Sequence, residues 1–329
     1  EMIDGTIIEE AKSDASSHSS FQREYCAQFT DGSDSYFSAK KMHDCTIPDG
    51  EEPSMRIIGQ SGKEYVLGID PSFSNSPTSD FFAMTVMELD DETQHGTLVY
   101  CYAVAGGDLK DHINYLNYIL THFNIVLIVI DNAGYQFIDS ANESEPFLKN
   151  KINLSFFDFN TEKEGIEYDR ELRQARMGYN REAGKICIKQ VFSTNFIRKA
   201  NELLQADIDH KRIWFASRIT ADGAIFNRVS TQKVPIKMTG HENMLDLIEF
   251  QDDFVYQTKK QCSLIEVKST SKGTQSFDLP QHLRRSNSPN KARKDNYTTL
   301  MLANWGVKKY YDMIETKVEA NQTFSPILI

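Results

Sequence analysis

A chain of 329 residues, 40% of them hydrophobic, can build one large domain or two modest ones around a real core. Its formal net charge of -11 excludes indiscriminate coating of nucleic acid, which depends on Lys and Arg neutralising phosphates, so any such contact has to be local. No stretch reaches the roughly 18 to 20 apolar residues of a membrane span, and the acidic start EMIDGTIIEEAKSD lacks the pattern of a signal peptide, so a soluble intracellular protein is expected.

Residues 1–60 are rich in Ser, Asp, Gly and Glu and read as a linker, with FQREYCAQF at 21–29 as a short amphipathic helix within it. From residue 61 onward the chain reads as one domain. YVLGID at 65–70, FFAMTVMEL at 81–89 and TLVYCYAVA at 97–105 predict three strands joined tightly enough for an antiparallel meander. A helix capped by Asp108 follows, with Leu109, Ile113, Leu116, Ile119 and Leu120 on one face. IVLIVID at 125–131 is an unbroken apolar run, the pattern of a central strand buried on both faces.

Beyond it the expected order is a helix over 134–148, a strand over 152–159, a helix over 165–180 and a strand over 185–190. A helix over 195–208, a strand over 212–217, turns over 218–240, a long helix over 241–267 and a last helix over 293–315 complete the reading. Antiparallel strands followed by crossover units predict an α/β fold: a mixed sheet, three antiparallel strands plus parallel ones, flanked by helices. The five cysteines, at 26, 45, 101, 187 and 262, contain no C-x-x-C pair and read as reduced and mostly buried.

The chemistry-bearing pattern is acidic. Asp70 ends the first strand before Pro71, which stops the ladder, and Asp131 ends the 125–131 strand in the same way. Asp295 opens the last helix, where the helix dipole favours a carboxylate. One aspartate at a strand end is most often a turn cap, but two acids ending two apolar strands favour metal ligation. Three converging aspartates can hold two hard cations, Mg2+ or Mn2+, about 3.5 to 4 Å apart, one activating water and the other stabilising the leaving oxygen of a phosphodiester. Asp80 is a weaker metal candidate, with a cap at the start of its strand as the alternative, and Glu143 and Glu145 fit a solvated helix face. His241 and Glu242 fit the start of a helix better than a catalytic role.

Between Asp278 and Asp295 there is no acid, while Arg284, Arg285, Lys291, Arg293 and Lys294 are basic. Such a cluster next to the third aspartate can hold a DNA backbone through its phosphates; a solvated loop is the plain alternative.

YVLGIDPS, DFFAMTVMEL, IVLIVIDNAG and RKDNYTTLMLANW resemble the nuclease domain of viral and bacteriophage large terminase subunits, and FQREYCAQFTDGSDSYFS resembles the passage from motor ATPase to nuclease in such proteins. The resemblance runs from about 21 to 315. It implies a ribonuclease-H-like endonuclease that cuts concatemeric double-stranded viral DNA during packaging in the host cytoplasm. Asp70, Asp131 and Asp295 fall on the family's acidic positions. Some relatives carry two adjacent acids at the third position, where this chain has Asp295 followed by Asn296. No G-x-x-x-x-G-K-[ST] loop is present, so the chain is expected to be the C-terminal part of a longer protein whose ATPase motor works with a small subunit and a portal. A transposase, integrase or resolvase of the same fold, or an actin-like nucleotide-binding domain, are the rival classes.

Overall fold

Strands β1 (Tyr65–Asp70), β2 (Phe81–Asp90) and β3 (His95–Ala105) pair antiparallel in sequence order, as their short polar connections require. The structure is a computed structural model that describes residues 35–74, 76, 79–158, 185–217, 244–269, 275–284 and 292–322. Helix α1 (Ala39–Asp44) precedes the meander, and α2 (Leu109–His122) follows it, its first turn capped by Asp108, whose side chain accepts from the Lys110 N–H. The chain then returns as β4 (Ile125–Asp131), parallel to β1.

Strands β5 (Leu154–Asp158), β6 (Lys185–Gln190) and β7 (Ile213–Phe215) complete a seven-stranded sheet in the order β5-β6-β4-β1-β2-β3-β7. Strands β4, β6 and β5 run parallel to β1, which gives the mixed sheet expected from the order of elements. β1 and β4 are almost wholly buried, because helices cover both faces.

The region expected as a helix over 134–148 is divided into a 3-10 turn (Asn132–Gly134), α3 (Tyr135–Asn142) and α4 (Glu145–Asn150). Pro146 stands at the start of α4, a position where its missing N–H has no cost and its ring cannot continue a preceding helix. Helices α5 (Thr194–Asp209) and α6 (Met244–Ser263) follow their predicted spans, but α6 stops short of 267. Residues beyond it form β8 (Glu266–Ser269), paired with β9 (Gln275–Asp278) in a hairpin the sequence reading did not contain. A short α7 (Gln281–Arg284) precedes α8 (Asp295–Gln322). The expected helices over 21–29 and 165–180 and the turns over 218–240 lie outside the described residues.

α2 and α3 cover one face, where Phe82 stacks on His112 at 4.2 Å and Tyr102 bonds His112 Nδ1 at 2.9 Å. α6 and α8 cover the other. α8 lies directly on β1: a Cβ on Gly68 would come within 2.3 Å of the Thr299 carbonyl oxygen and 2.8 Å of the Ala303 nitrogen. Thr85 and Thr299 join by their hydroxyls at 2.7 Å in the same buried layer.

Residues 35–60, assigned by composition to the linker, are attached to the domain. Phe37, Met42, Cys45, Met55 and Ile57 are buried in the main core, and Tyr118 donates its hydroxyl hydrogen to the Ile57 carbonyl. Thr46 and Ser54 bridge to Phe215 and Ser217, so this segment covers the β7 edge that would otherwise expose unpaired backbone groups. The polar composition concealed this because few apolar residues make the contacts. Residues 1–34 lie outside the described part. Cys45, Cys101, Cys187 and Cys262 are free and buried, as expected; Cys26 lies outside the described residues. Among the described residues no helix is long and apolar enough to cross a membrane.

Candidate active site

Side chains alternate along a strand, so the contacts of α8 fix which way each strand residue points. Gly68 meets Thr299 and Ala303, while Gly306 lies against Val66, Val129 and Leu127. Two residues further along each strand, Asp70 and Asp131 therefore project on the α8 face. The β1–β4 register runs through Ile69↔Ile130, which makes Asp70 and Asp131 neighbours at adjacent strand ends. Asp295 reaches the same edge from the first turn of α8, 7% exposed, and its Oδ2 accepts from the Phe81 N–H at 2.7 Å.

The electrostatics record this convergence. Asp70 is held well above the ordinary carboxylate range, first by burial and then by the negative charges of Asp295 and Asp131, with Lys294 and a Thr298 hydrogen bond acting in the opposite direction. Burial also raises Asp131, against amide hydrogen bonds from Ala133 and Asn132. Burial pushes Asp295 up to about 6, against the Phe81 amide; Asp80 raises it further, and Arg293 and Lys294 oppose the rise. Asp80 thus stands close enough to Asp295 to act on it, from an exposed position just before β2.

Among the described residues no group of three or more His, Cys, Asp or Glu side chains forms a ready-made metal cage. The geometry explains why: Asp131 Oδ1 is turned back to the Ala133 N–H at 3.4 Å, and Asp295 is bound to β2. The cap reading and the site reading of Asp131 therefore apply to one side chain. An all-oxygen set of carboxylates that repel one another fits a hard divalent cation, which would offset the charge that burial leaves uncompensated.

Of the basic segment, Arg293 and Lys294 are described, and each has a partner in the domain. Arg293 donates from Nε to the Ser79 carbonyl at 3.0 Å and lies over the Phe81 ring at 4.3 Å; Lys294 pairs with Asp278 at 3.2 Å. Arg293 braces the junction of β2 and α8 and Lys294 ties the start of α8 to β9, while both place positive charge beside the acids. Arg285 and Lys291, and the side chain of Arg284, lie outside the described residues.

The sequence reading missed Thr298 and Gln190. Gln190 ends β6 as Asp131 ends β4, and the two are register partners. The signal was present in KICIKQ, an apolar strand ending in a polar residue, but a glutamine there carries no motif.

No protein-family model and no curated protein matches the sequence. The chain is similar to solved structures of phage large terminases. Against the large terminase nuclease of thermophilic phage G20c the identity is 11% and the TM-score 0.42, covering 82% of this chain and 97% of that one. Against the HK97 bacteriophage large terminase the values are 9% and 0.43, covering 82% of this chain and 43% of that one. The nuclease domain of large terminase subunit gp2 from bacterial virus Sf6 gives 9% and 0.36, covering 82% and 98%.

Proposed function

We propose that this chain is a divalent-metal-dependent endonuclease that hydrolyses phosphodiester bonds of double-stranded DNA, with Asp70, Asp131 and Asp295 as its metal ligands. The observation that carries the reading is the convergence of these carboxylates from β1, β4 and α8, at which Asp70 feels both others. Bound Mg2+ or Mn2+, as two ions, would activate water and stabilise the leaving oxygen. Asp70 and Asp131 would grip from the sheet and Asp295 from the helix; Asp80 would add negative charge at the rim. Lys294, Arg293 and the basic residues Arg284, Arg285 and Lys291 would hold phosphates beside the acids, positioning the duplex without reading its sequence.

In this reading the chain belongs to a phage genome-packaging enzyme that cuts concatemers in the host cytoplasm. It acts beside an ATPase motor joined on the N-terminal side of the segment at 35–60, with a small terminase subunit and a portal as further partners. The motif resemblance of the sequence supports this assignment. Plasmid nicking tests it: supercoiled DNA is converted to nicked and linear forms with Mg2+ or Mn2+, is spared with EDTA, and is spared by Asp70→Ala, Asp131→Ala and Asp295→Ala. Equal inertness of wild type and variants with every metal would overturn the nuclease reading.

A further inference from the structure

Asp131 has a neighbour in the sheet that the acidic pattern does not include. The β4–β6 register pairs Asp131 with Gln190, and partners on adjacent parallel strands, spaced about 4.8 Å apart, point to the same face. The strand ends of β1, β4 and β6 therefore present Asp70, Asp131 and Gln190 in a row on the α8 face. Gln190 is 8% exposed. Its Nε2 donates to the Val191 carbonyl at 3.1 Å, which fixes the amide so that Oε1 is the atom left over, and among the described residues no donor reaches that oxygen. Gln190 Oε1 is not among the enclosed side-chain atoms of the described residues that lack a partner, so this acceptor is open to a water at the strand end.

We propose that Gln190 is the water-orienting residue of this site: its Oε1 accepts a hydrogen bond from the water that attacks the phosphodiester. The inference rests on the nuclease reading above. The amide only orients. The water oxygen forms a bond to phosphorus, one P–O ester bond breaks, the proton lost by the water passes to solvent, and the leaving oxygen takes a proton from solvent. Gln190 gains and loses no proton.

The test compares wild type, Gln190→Met and Gln190→Glu in the full chain, measuring kcat and KM for plasmid nicking, Mn2+ affinity by calorimetry and the thermal midpoint. Met keeps the volume and removes the acceptor, whereas Glu keeps an acceptor oxygen. The expected result is a kcat roughly 10- to 100-fold lower in Gln190→Met, the loss appropriate to one hydrogen bond to a reacting group. KM, Mn2+ affinity and thermal midpoint stay near wild type, and Gln190→Glu retains most of the rate. Wild-type rates in Gln190→Met, or equal losses in both variants together with a lowered thermal midpoint, would overturn the assignment and leave a packing role. If wild type neither cuts nor binds Mn2+, the nuclease reading itself fails and this one with it, an outcome distinct from a defect confined to Gln190→Met.

Discussion

Asp295→Asn removes one charge from the carboxylate group while leaving an oxygen able to accept the Phe81 N–H. In the folded protein Asp295 is pushed up to about 6 from 3.8, so the fold prefers its protonated form. The group therefore costs nothing below about pH 4; the penalty grows as pH rises and is complete above about pH 6. The rise corresponds to roughly 3 kcal/mol, usable as an order of magnitude because the residue is only 7% exposed. With EDTA present, Asp295→Asn should be more stable than wild type by about 2 to 3 kcal/mol at pH 8, a thermal midpoint on the order of 3 to 5 °C higher for a chain of this size. At pH 4 the two should coincide. Thermal and urea unfolding at both pH values measure this, and the same variant should not cut DNA. An Asn variant no more stable than wild type at pH 8, or equally stabilised at both pH values, refutes the argument that Asp295 is buried against its own ionisation.

Three further outcomes follow from the same geometry. Mn2+ should raise the thermal midpoint of wild type and have little effect on an Asp70→Asn/Asp131→Asn double variant, measured by calorimetry across a metal titration, because ligand binding to the folded state alone adds stability. Gly68→Ala should destabilise by about 2 to 4 kcal/mol in urea unfolding and depress cutting, because the added carbon collides with the α8 backbone, which cannot yield without moving Asp295. Lys294→Met should slow plasmid nicking, since it removes a positive charge that stands beside Asp70 and Asp295 where phosphates would be held; an unchanged rate would show that Lys294 serves only its Asp278 pair.

The sequence by itself determined the strands and their polar ends. The apolar runs 65–70 and 125–131 can only be buried strands, and the aspartates that end them are legible because a charged residue after five or six apolar ones must mark the strand's exit from the core. Asp108 as a cap and Asp295 as the start of α8 were legible for the same local reason, that helix termini need partners for unpaired N–H groups. What the tertiary structure alone decided is which of these ends meet. Register is a long-range quantity: the pairing Ile69↔Ile130 makes neighbours of Asp70 and Asp131, and Asp131↔Gln190 brings in a residue no motif marks. The Asp295 carboxylate finds the Phe81 amide across 214 positions of sequence, and the residues around Phe37 and Met55 find the core from a stretch whose composition reads as linker. Local pattern fixes where a chain must be buried; only packing, which brings distant backbone into contact, fixes against what.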